Sequence, residues 1–297
     1  MTDILVLADI GPSFWLTEWH WIPSVVIGTA LAVGLYLYAI GPLRRKRALP
    51  PVERSKVVAF LLGAGIMFLA LVSPLDELGD SYLFSAHMVQ HLLLMIVGPP
   101  LLVIGLPEWL ARDLLLRNRG VFAVARFFTF PVVAFTLFNL DFWLWHAPPL
   151  YNATLENEAI HVFEHGTFIF LGLCFWWPIF SPLQERLPRL PFGGQVLYLF
   201  LNGMPSVALG AGLTFFPPLY APYLAAPRIW GISPTVDQQL GGLIMWIPGN
   251  LFFIVLVSIL FIRWMQQQER RQMEEEARVE RENGVDAEVE RTGVELS

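Results

Sequence analysis

Long apolar runs, rather than an alternation of apolar and polar residues, dominate the sequence. Seven such runs carry few or no charged side chains, and polar or proline-rich stretches separate them. At a rise of about 1.5 Å per residue, each run makes a helix that can cross the hydrocarbon core of a bilayer. The predicted spans cover residues 22–41, 56–73, 82–107, 128–146, 159–180, 194–216 and 239–262. The pattern therefore predicts an all-α fold, a polytopic transmembrane bundle of seven helices.

The composition supports this fold class. Of 297 residues, 55% are hydrophobic and only 15% are charged, which is typical of membrane proteins and not of soluble domains. The single cysteine, Cys174, lies inside a predicted span, which excludes a disulfide framework and a CxxC thiolate site. We expect the chain to lie in a lipid bilayer and to have no nucleic-acid partner.

Three regions follow from the span pattern. Residues 1–21 form an outer N-terminal segment, in which Trp15, Trp19 and Trp21 resemble interfacial anchors. This segment lacks the basic start and small-residue cleavage site of a signal peptide, so we interpret it as mature sequence. Residues 22–263 form the transmembrane domain. Residues 264–297 form a charged tail that is expected to continue the last helix for a few turns and then fray.

The basic residues predict the orientation. With seven spans, 18 of the 19 Lys and Arg residues fall on one side, and Arg228 alone falls on the other. Under the positive-inside rule, this asymmetry predicts an outer N-terminus and a cytoplasmic C-terminus.

The histidines gather on the outer side of these spans. His87 and His91 lie four residues apart in the third span, and His161 and His165 have the same spacing at the start of the fifth. An i, i+4 pair shares one helix face, and short connections make the third, fourth and fifth spans consecutive antiparallel neighbours, so the two pairs can face each other. The pattern therefore predicts a metal site whose ligands are His87, His91, His161 and His165.

Further side chains extend this predicted site. His146 ends the fourth span, and Met95 follows His91 by four residues, so we predict both as additional ligands. Glu164 and Asp141 lie at a similar depth and are expected to orient the histidines or to neutralise the ion. The GPP sequence at 98–100 is expected to kink or break the third span below Met95.

Other interpretations stay open from the residues alone. His20 suits a head-group contact, and the His pairs suit a polar seam between helices. Imidazole with thioether favours copper, especially Cu(I), whereas imidazole with carboxylate suits zinc or iron. Histidines on facing helices can also bind haem, which would make the chain a haem-binding membrane redox protein. A zinc-dependent hydrolase with Glu164 as base lacks the HExxH spacing.

Several separated blocks resemble the CtaG family of cytochrome c oxidase assembly factors. They are HMVQH at 87–91 with GPPLL at 98–102 and GLP at 105–107, WHAPPLYN at 145–152, IH at 160–161 with EH at 164–165, and DQQLGGLIMW at 237–246. The blocks occur in the same order over roughly residues 75–265.

The resemblance implies a seven-span protein of the bacterial inner membrane that is needed to make active terminal oxidase. It also implies copper handling for that oxidase, with the oxidase subunits and a further copper chaperone as partners. No side chain pairs as a nucleophile with a base, so we expect no enzyme activity. The resulting hypothesis is an assembly factor that binds copper through outer-face histidines.

Overall fold

The structure is a computed structural model that describes residues 7–8 and 11–294, with side chains from residue 11 to residue 279. The predicted outer segment 1–21 and the end of the predicted tail therefore lie partly outside the described residues. The described chain is almost entirely helical. The helices are α1 Phe14–Thr17, α2 Pro23–Tyr38, α3 Arg44–Lys46, α4 Arg54–Val72, α5 Pro74–Ser81, α6 Phe84–Leu92, α7 Gly98–Gly105, α8 Glu108–Leu115, α9 Arg119–Phe128, α10 Pro131–Trp145, α11 Pro148–Glu156, α12 Glu158–Phe180, α13 Phe192–Phe215, α14 Ala221–Ala225 and α15 Pro234–Val294.

Two π-helical turns and one short pair of strands complete the described structure. The turn Ala39–Leu43 joins α2 to α3, and the turn Leu93–Val97 joins α6 to α7. Strands β1 (Leu7–Ala8) and β2 (Arg228–Ile229) pair in parallel.

Six helical stretches are long and apolar enough to cross a membrane. They are Pro23–Lys46, Arg54–Val72, Phe84–Gly105, Glu158–Phe180, Phe192–Phe215 and Pro234–Val279. A seventh span arises if α9 and α10, which meet at a bend of 66°, are counted as one. These stretches confirm the predicted all-α class and the positions of the spans. The bend follows from Pro131, which begins α10 and cannot continue the helix that precedes it.

The two helices that carry the histidine pairs begin differently. α12 has its own cap, since Asn157 Oδ1 accepts hydrogen bonds from the backbone N–H groups of Ala159 at 2.9 Å and Ile160 at 3.3 Å. α6 is capped from a distant part of the chain. The Asp237 carboxylate of α15 accepts from Phe84 N at 2.7 Å and from Ser85 N at 3.0 Å. Both caps fix the first turn, one turn before the histidines.

Two glycines allow the helices around the histidines to pack closely. A Cβ at Gly79 of α5 would lie 3.0 Å from the Cα of His87, so α5 rests against the backbone of α6. A Cβ at Gly172 of α12 would lie 2.9 Å from Pro99 Cγ, so α12 touches α7 equally closely. A larger residue at either position would push these helices apart.

Buried apolar side chains flank the histidine region on both sides. One cluster includes residues of the short helices α11 and α14. It consists of Phe84, Met88, Tyr151, Leu213, Tyr220, Tyr223 and Met245. A second cluster, next to the π-helical turn that follows α6, consists of Met67, Ala70 and Leu94. The polar site is therefore bounded by apolar packing on these two sides.

Residues 253–297 form a separate compact unit, which is the C-terminal part of α15. Its helix continues to Val294, so the expectation that it frays after a few turns is wrong within the described residues. The composition explains this, because Glu, Arg and Gln are good helix formers. Gln272 also donates to Glu276 at 3.0 Å, which is a stabilising i, i+4 contact. The predicted boundaries at residues 22 and 264 concern the membrane and stay predictions.

Candidate metal centre

The two histidine pairs face each other across α6 and α12. The rings of His87 and His91 lie 4.3 Å apart between centroids, and those of His161 and His165 lie 4.2 Å apart. Between the helices, the ring centroids of His87 and His161 are 5.4 Å apart, and those of His91 and His165 are 5.7 Å apart. The four predicted ligands therefore come together in one cluster.

Four side chains of this cluster form what we call the inner cage: His87, His91, Glu164 and His165. One donor atom from each lies within 4.8 Å of the donor atoms of the other three. His91 Nε2 lies 3.8 Å from Glu164 Oε1. All four side chains are buried, and those of His87 and Glu164 have no exposed surface. Glu164, which the sequence predicts as an orienting or neutralising group, therefore lies among the donor atoms that could hold an ion.

A second group shares His87 with the inner cage and adds His161 and Asp80, a residue of α5 that the sequence analysis did not select. One donor atom from each lies within 4.8 Å of the other two. The Asp80 carboxylate bridges the two rings, since Oδ1 is 3.4 Å from His87 Nδ1 and Oδ2 is 3.4 Å from His161 Nδ1. Carboxylates in this position orient imidazoles for metal binding, or bind the metal themselves.

Many polar atoms of these two groups have no hydrogen bond. Among the described residues, the atoms that are buried without a partner include His87 Nε2, His91 Nδ1, His91 Nε2, His161 Nε2, His165 Nε2, Glu164 Oε1 and Glu164 Oε2. Each such atom costs about 1–3 kcal/mol, and buried polar groups without partners are rare in proteins. Converging nitrogen and oxygen lone pairs are what a metal ion binds. The residues present therefore fit a metal ion.

The carboxylates of α5 have no Lys or Arg partner among the described residues, and the basic group beside Asp76 and Glu77 is the His20 ring, at 3.5 Å and 3.3 Å. Burial raises the pKa of Asp76 to about 6, although hydrogen bonding to Gln90 opposes the shift. Burial also raises the pKa of Asp80 well above its usual range, and the negative charge of Asp76 adds to this shift. A cation bound nearby would supply the missing charge and return these groups to their ionised form.

Three tyrosines lie beside the histidine rings, and the sequence analysis did not select any of them as site residues. Tyr223 of α14 donates to the Gly79 carbonyl at 2.7 Å, and its oxygen lies 3.2 Å from His87 Nδ1. Tyr151 lies 3.1 Å from Tyr223 between hydroxyl oxygens, and Tyr220 donates to the His146 carbonyl at 3.0 Å. Tyr223 therefore holds the orientation of the His87 ring. Tyr220 and Tyr223 lie in the long connection between α13 and α15. In the sequence, only the high content of Tyr and Pro in that connection indicated a structured role.

His146 lies at the edge of the cluster, whereas Asp141 is bonded elsewhere. His146 is buried, its ring centroid is 5.8 Å from that of His91, and its Nε2 lies 3.4 Å from Met88 Sδ. Asp141 accepts a hydrogen bond from the Trp145 indole at 2.9 Å and contacts no histidine among the described residues.

The sulfur of Met95 has no hydrogen bond to a histidine among the described residues. Met95 lies in the π-helical turn Leu93–Val97, and its backbone carbonyl accepts a hydrogen bond from the Trp176 indole at 3.0 Å. A π turn, with its i→i+5 hydrogen bonds, holds one residue more than an α turn. The i, i+4 register from His91 therefore applies less directly to Met95. In the described chain, Met88 is the methionine whose sulfur contacts a histidine.

Comparison with known proteins gives relatives of greater length. The chain is 28% identical to uncharacterized proteins of Mycobacterium bovis and of Mycobacterium tuberculosis over 285 residues, and 27% identical to one of Mycobacterium leprae over 272 residues. Each match covers 86% of this chain, but only 40%, 40% and 41% of the respective relative. The chain therefore spans less than half the length of these curated relatives. No solved structure matches it.

The family comparison covers most of the chain. The family model described as cytochrome c oxidase caa3 assembly factor, Caa3_CtaG, matches residues 34–267. This range contains every residue of the inner cage. It also contains Asp80, His161 and the three tyrosines Tyr151, Tyr220 and Tyr223. It extends beyond the blocks that carried the resemblance in the sequence. The chain is a membrane protein that belongs to the Caa3_CtaG family of cytochrome c oxidase assembly factors.

Proposed function

We propose that this protein binds copper in the inner cage and delivers it to cytochrome c oxidase during assembly. The observation that carries the proposal is the convergence of three imidazoles and one carboxylate whose lone pairs have no other partner. Family membership supplies the context, since the family is described by its role in oxidase assembly. Copper is then the cargo of the protein. Its partners are the oxidase subunits and a copper chaperone, and no catalytic step is required.

The donor set supports copper as the ion. Imidazole-rich sites bind copper more tightly than the other first-row divalent metals, and imidazole also suits Cu(I). A single carboxylate, Glu164, would neutralise one positive charge, which favours a monovalent ion in a fully buried site. Met88 adds a soft thioether beside His146, one ring away from His91. Four donors within 4.8 Å of one another suit an ion better than they suit the breadth of a haem macrocycle.

The orientation completes the proposal. With 18 of 19 basic residues on one side, the N-terminus lies outside and the C-terminal tail in the cytoplasm of a bacterial inner membrane. The cage lies near the starts of α6 and α12, which face outward in this arrangement. Copper would therefore be handled in the outer half of the membrane.

Thiol labelling tests this orientation. In intact cells, Glu156→Cys and Ala225→Cys are expected to react with a membrane-impermeant maleimide, because both positions are exposed on the outer side. Arg117→Cys is exposed on the other side and is expected to react only after the cells are opened. The native Cys174 is buried, so the unmodified chain provides the background. Labelling of Arg117→Cys in intact cells at the level of Glu156→Cys would reverse the orientation.

The function is tested by the metal content of the oxidase. In a strain that lacks this protein, we expect the oxidase subunits to be present with haem inserted and at least one copper centre empty. Complementation with the chain that carries His87→Ala and His91→Ala should leave this defect in place at normal abundance of the protein. Complementation with Asn202→Ala, a buried polar change in α13 outside the cage, should restore copper. Metal analysis and haem spectra of the purified oxidase measure both cofactors.

Two outcomes would contradict the proposal. An oxidase with full copper content and normal turnover in the deletion strain would remove the assembly role. Missing haem with copper intact would instead support the haem-binding alternative.

A further inference from the structure

A polar cavity opens beside the histidine cluster. Its volume is about 570 Å³, and it lies between the first turns of α2, the outer half of α12 and helix α5. No Lys or Arg residue is among the described residues that line it. The ionisable side chains on its wall are His20, Asp76, Glu77, Asp80, Glu158, His161 and His165. Acidic groups therefore set the charge of this cavity.

The deep wall of the cavity consists of residues of the histidine cluster. His161 and His165 both line it, and each side chain is more than nine-tenths buried. The Nε2 atom of each ring has no hydrogen bond among the described residues. Asp80 lines the same cavity and lies 3.4 Å from His87. The cavity thus reaches the side chains that carry these unpaired donor atoms.

We infer that this cavity is the passage through which the metal cation enters and leaves, and that Asp80 and His161 hold it before it reaches the inner cage. The inference rests on the proposed function, since it names the route to the same site. His87 belongs both to the group with Asp80 and His161 and to the inner cage. An ion that moves between them can therefore keep one ligand while it exchanges the others.

Electrostatics favours a cation on this route. Four carboxylates around a narrow, partly apolar opening concentrate a negative potential and raise the local concentration of cations. An ion in the cavity would meet these carboxylates before it meets the histidines.

Two other cavities suit a cation less. One of about 660 Å³ is lined by apolar side chains of α7, α9 and α12, such as Phe128 and Trp177, and by no residue of the cage. Another, beside Tyr220 and Tyr223, has a volume of about 10 Å³, which is room for roughly one water molecule. The acidic cavity is therefore the route that the described residues favour.

Gly28 offers a way to obstruct the passage without touching a ligand. It lines the cavity, and a Cβ built on it would have no atom within 4 Å. Gly34 lies on the same helix, is equally free of neighbours and does not line the cavity. Gly28→Trp and Gly34→Trp are thus a matched pair, in which only the first substitution fills the passage. Asp80→Asn, which keeps the side-chain shape but removes its charge, tests the first holding position.

The experiment measures the rate at which purified protein in detergent takes up Cu(I) from a chelator, and separately the affinity at equilibrium. For Gly28→Trp we expect uptake to slow about tenfold or more, which corresponds to a barrier higher by about 1.4 kcal/mol, with the affinity unchanged. Asp80→Asn should slow uptake in the same way, and Gly34→Trp should match the unmodified chain. If Gly28→Trp and Asp80→Asn both took up Cu(I) at the rate of the unmodified chain, the cavity would not be the route of the cation. Absence of Cu(I) binding by the unmodified chain would instead overturn the proposed function.

Discussion

His87→Ala is expected to abolish tight copper binding. His87 is the one residue that belongs to both groups of donors, so its removal takes a ligand from each. Loss of a residue that merely orients a ligand typically lowers metal affinity 10–100-fold, so loss of a direct ligand should cost about 100-fold or more. Ligands of one ion act as a unit. The double variant His87→Ala/His165→Ala should therefore lose little more than His87→Ala alone.

Chelator competition with purified protein measures these affinities. Because His87 is fully buried, its removal also leaves a void, so the thermal unfolding of each variant is followed in parallel. Asn202→Ala removes a buried polar side chain in α13 that accepts a hydrogen bond from Asn139, and it should leave copper affinity as in the unmodified chain. If His87→Ala and His165→Ala each caused small losses that added independently, the histidines would serve helix packing and not one ion.

Asp237→Ala is expected to destabilise the fold most strongly among single carboxylate changes. The side chain is 3% exposed and accepts two backbone N–H groups at the start of α6. Its removal leaves both N–H groups buried without acceptors, at a cost of about 1–3 kcal/mol each. It also removes a negative charge from a helix N-terminus, where such a charge is stabilising. The variant should unfold at a temperature lower by about 5–10 °C.

Thermal unfolding in detergent, followed by circular dichroism, measures this effect. Asp237→Asn keeps one acceptor oxygen and should lose roughly half as much stability. Glu269→Ala, on the exposed part of the same long helix, should leave the unfolding temperature unchanged. Unfolding of Asp237→Ala at the unmodified temperature would mean that water can replace the carboxylate at this helix start. Since α6 carries His87 and His91, the variant should also lose copper affinity.

The spans were predictable because their apolar runs exceed the length of a bilayer crossing. Each predicted span has a counterpart among the described helices, from Pro23–Lys46 to Pro234–Val279. The bend between α9 and α10 was not predictable from hydropathy. It follows from Pro131, and mean hydropathy records the apolar content of a segment but not its direction. The length of α15 was not predicted, because the high charge of the C-terminal tail was taken to favour disorder. The high helix propensity of its Glu, Arg and Gln residues was given too little weight.

The histidine cluster was predictable from spacing on two neighbouring helices. An i, i+4 pair fixes a face, and because both helices start on the same side, the two pairs lie at a similar depth. The π-helical turn just beyond His91 shifts the register in which Met95 follows, so the i, i+4 rule applies less directly to Met95, which stays a predicted ligand. Asp141 shares the depth of the cluster but points its carboxylate to Trp145. The depth of a residue along its span therefore predicts its distance from the histidine cluster less well than the helix face on which it lies.

The contacts that Asp80, Tyr223 and Asp237 make with α6 were not predictable from the sequence, for a common reason. Each contacts α6 from a distant part of the chain or across a turn, and no local period connects them to it. Asp80 approaches because Gly79 lets α5 lie directly on the backbone of α6. Contacts of this kind follow from tertiary packing, which a single sequence specifies but does not display.

The depth of the cage has a consequence for the energy of copper transfer. His91 lies seven residues into α6, which is about 10 Å, or roughly one third of the hydrocarbon thickness. With the proposed orientation, a monovalent ion that enters from outside moves down an inside-negative membrane potential. That movement is worth about 0.8 kcal/mol per 100 mV, one third of the value for a full crossing. A respiring cell would thus help to load the cage and would oppose release to the outside, whereas transfer to a neighbouring subunit at the same depth crosses none of the field.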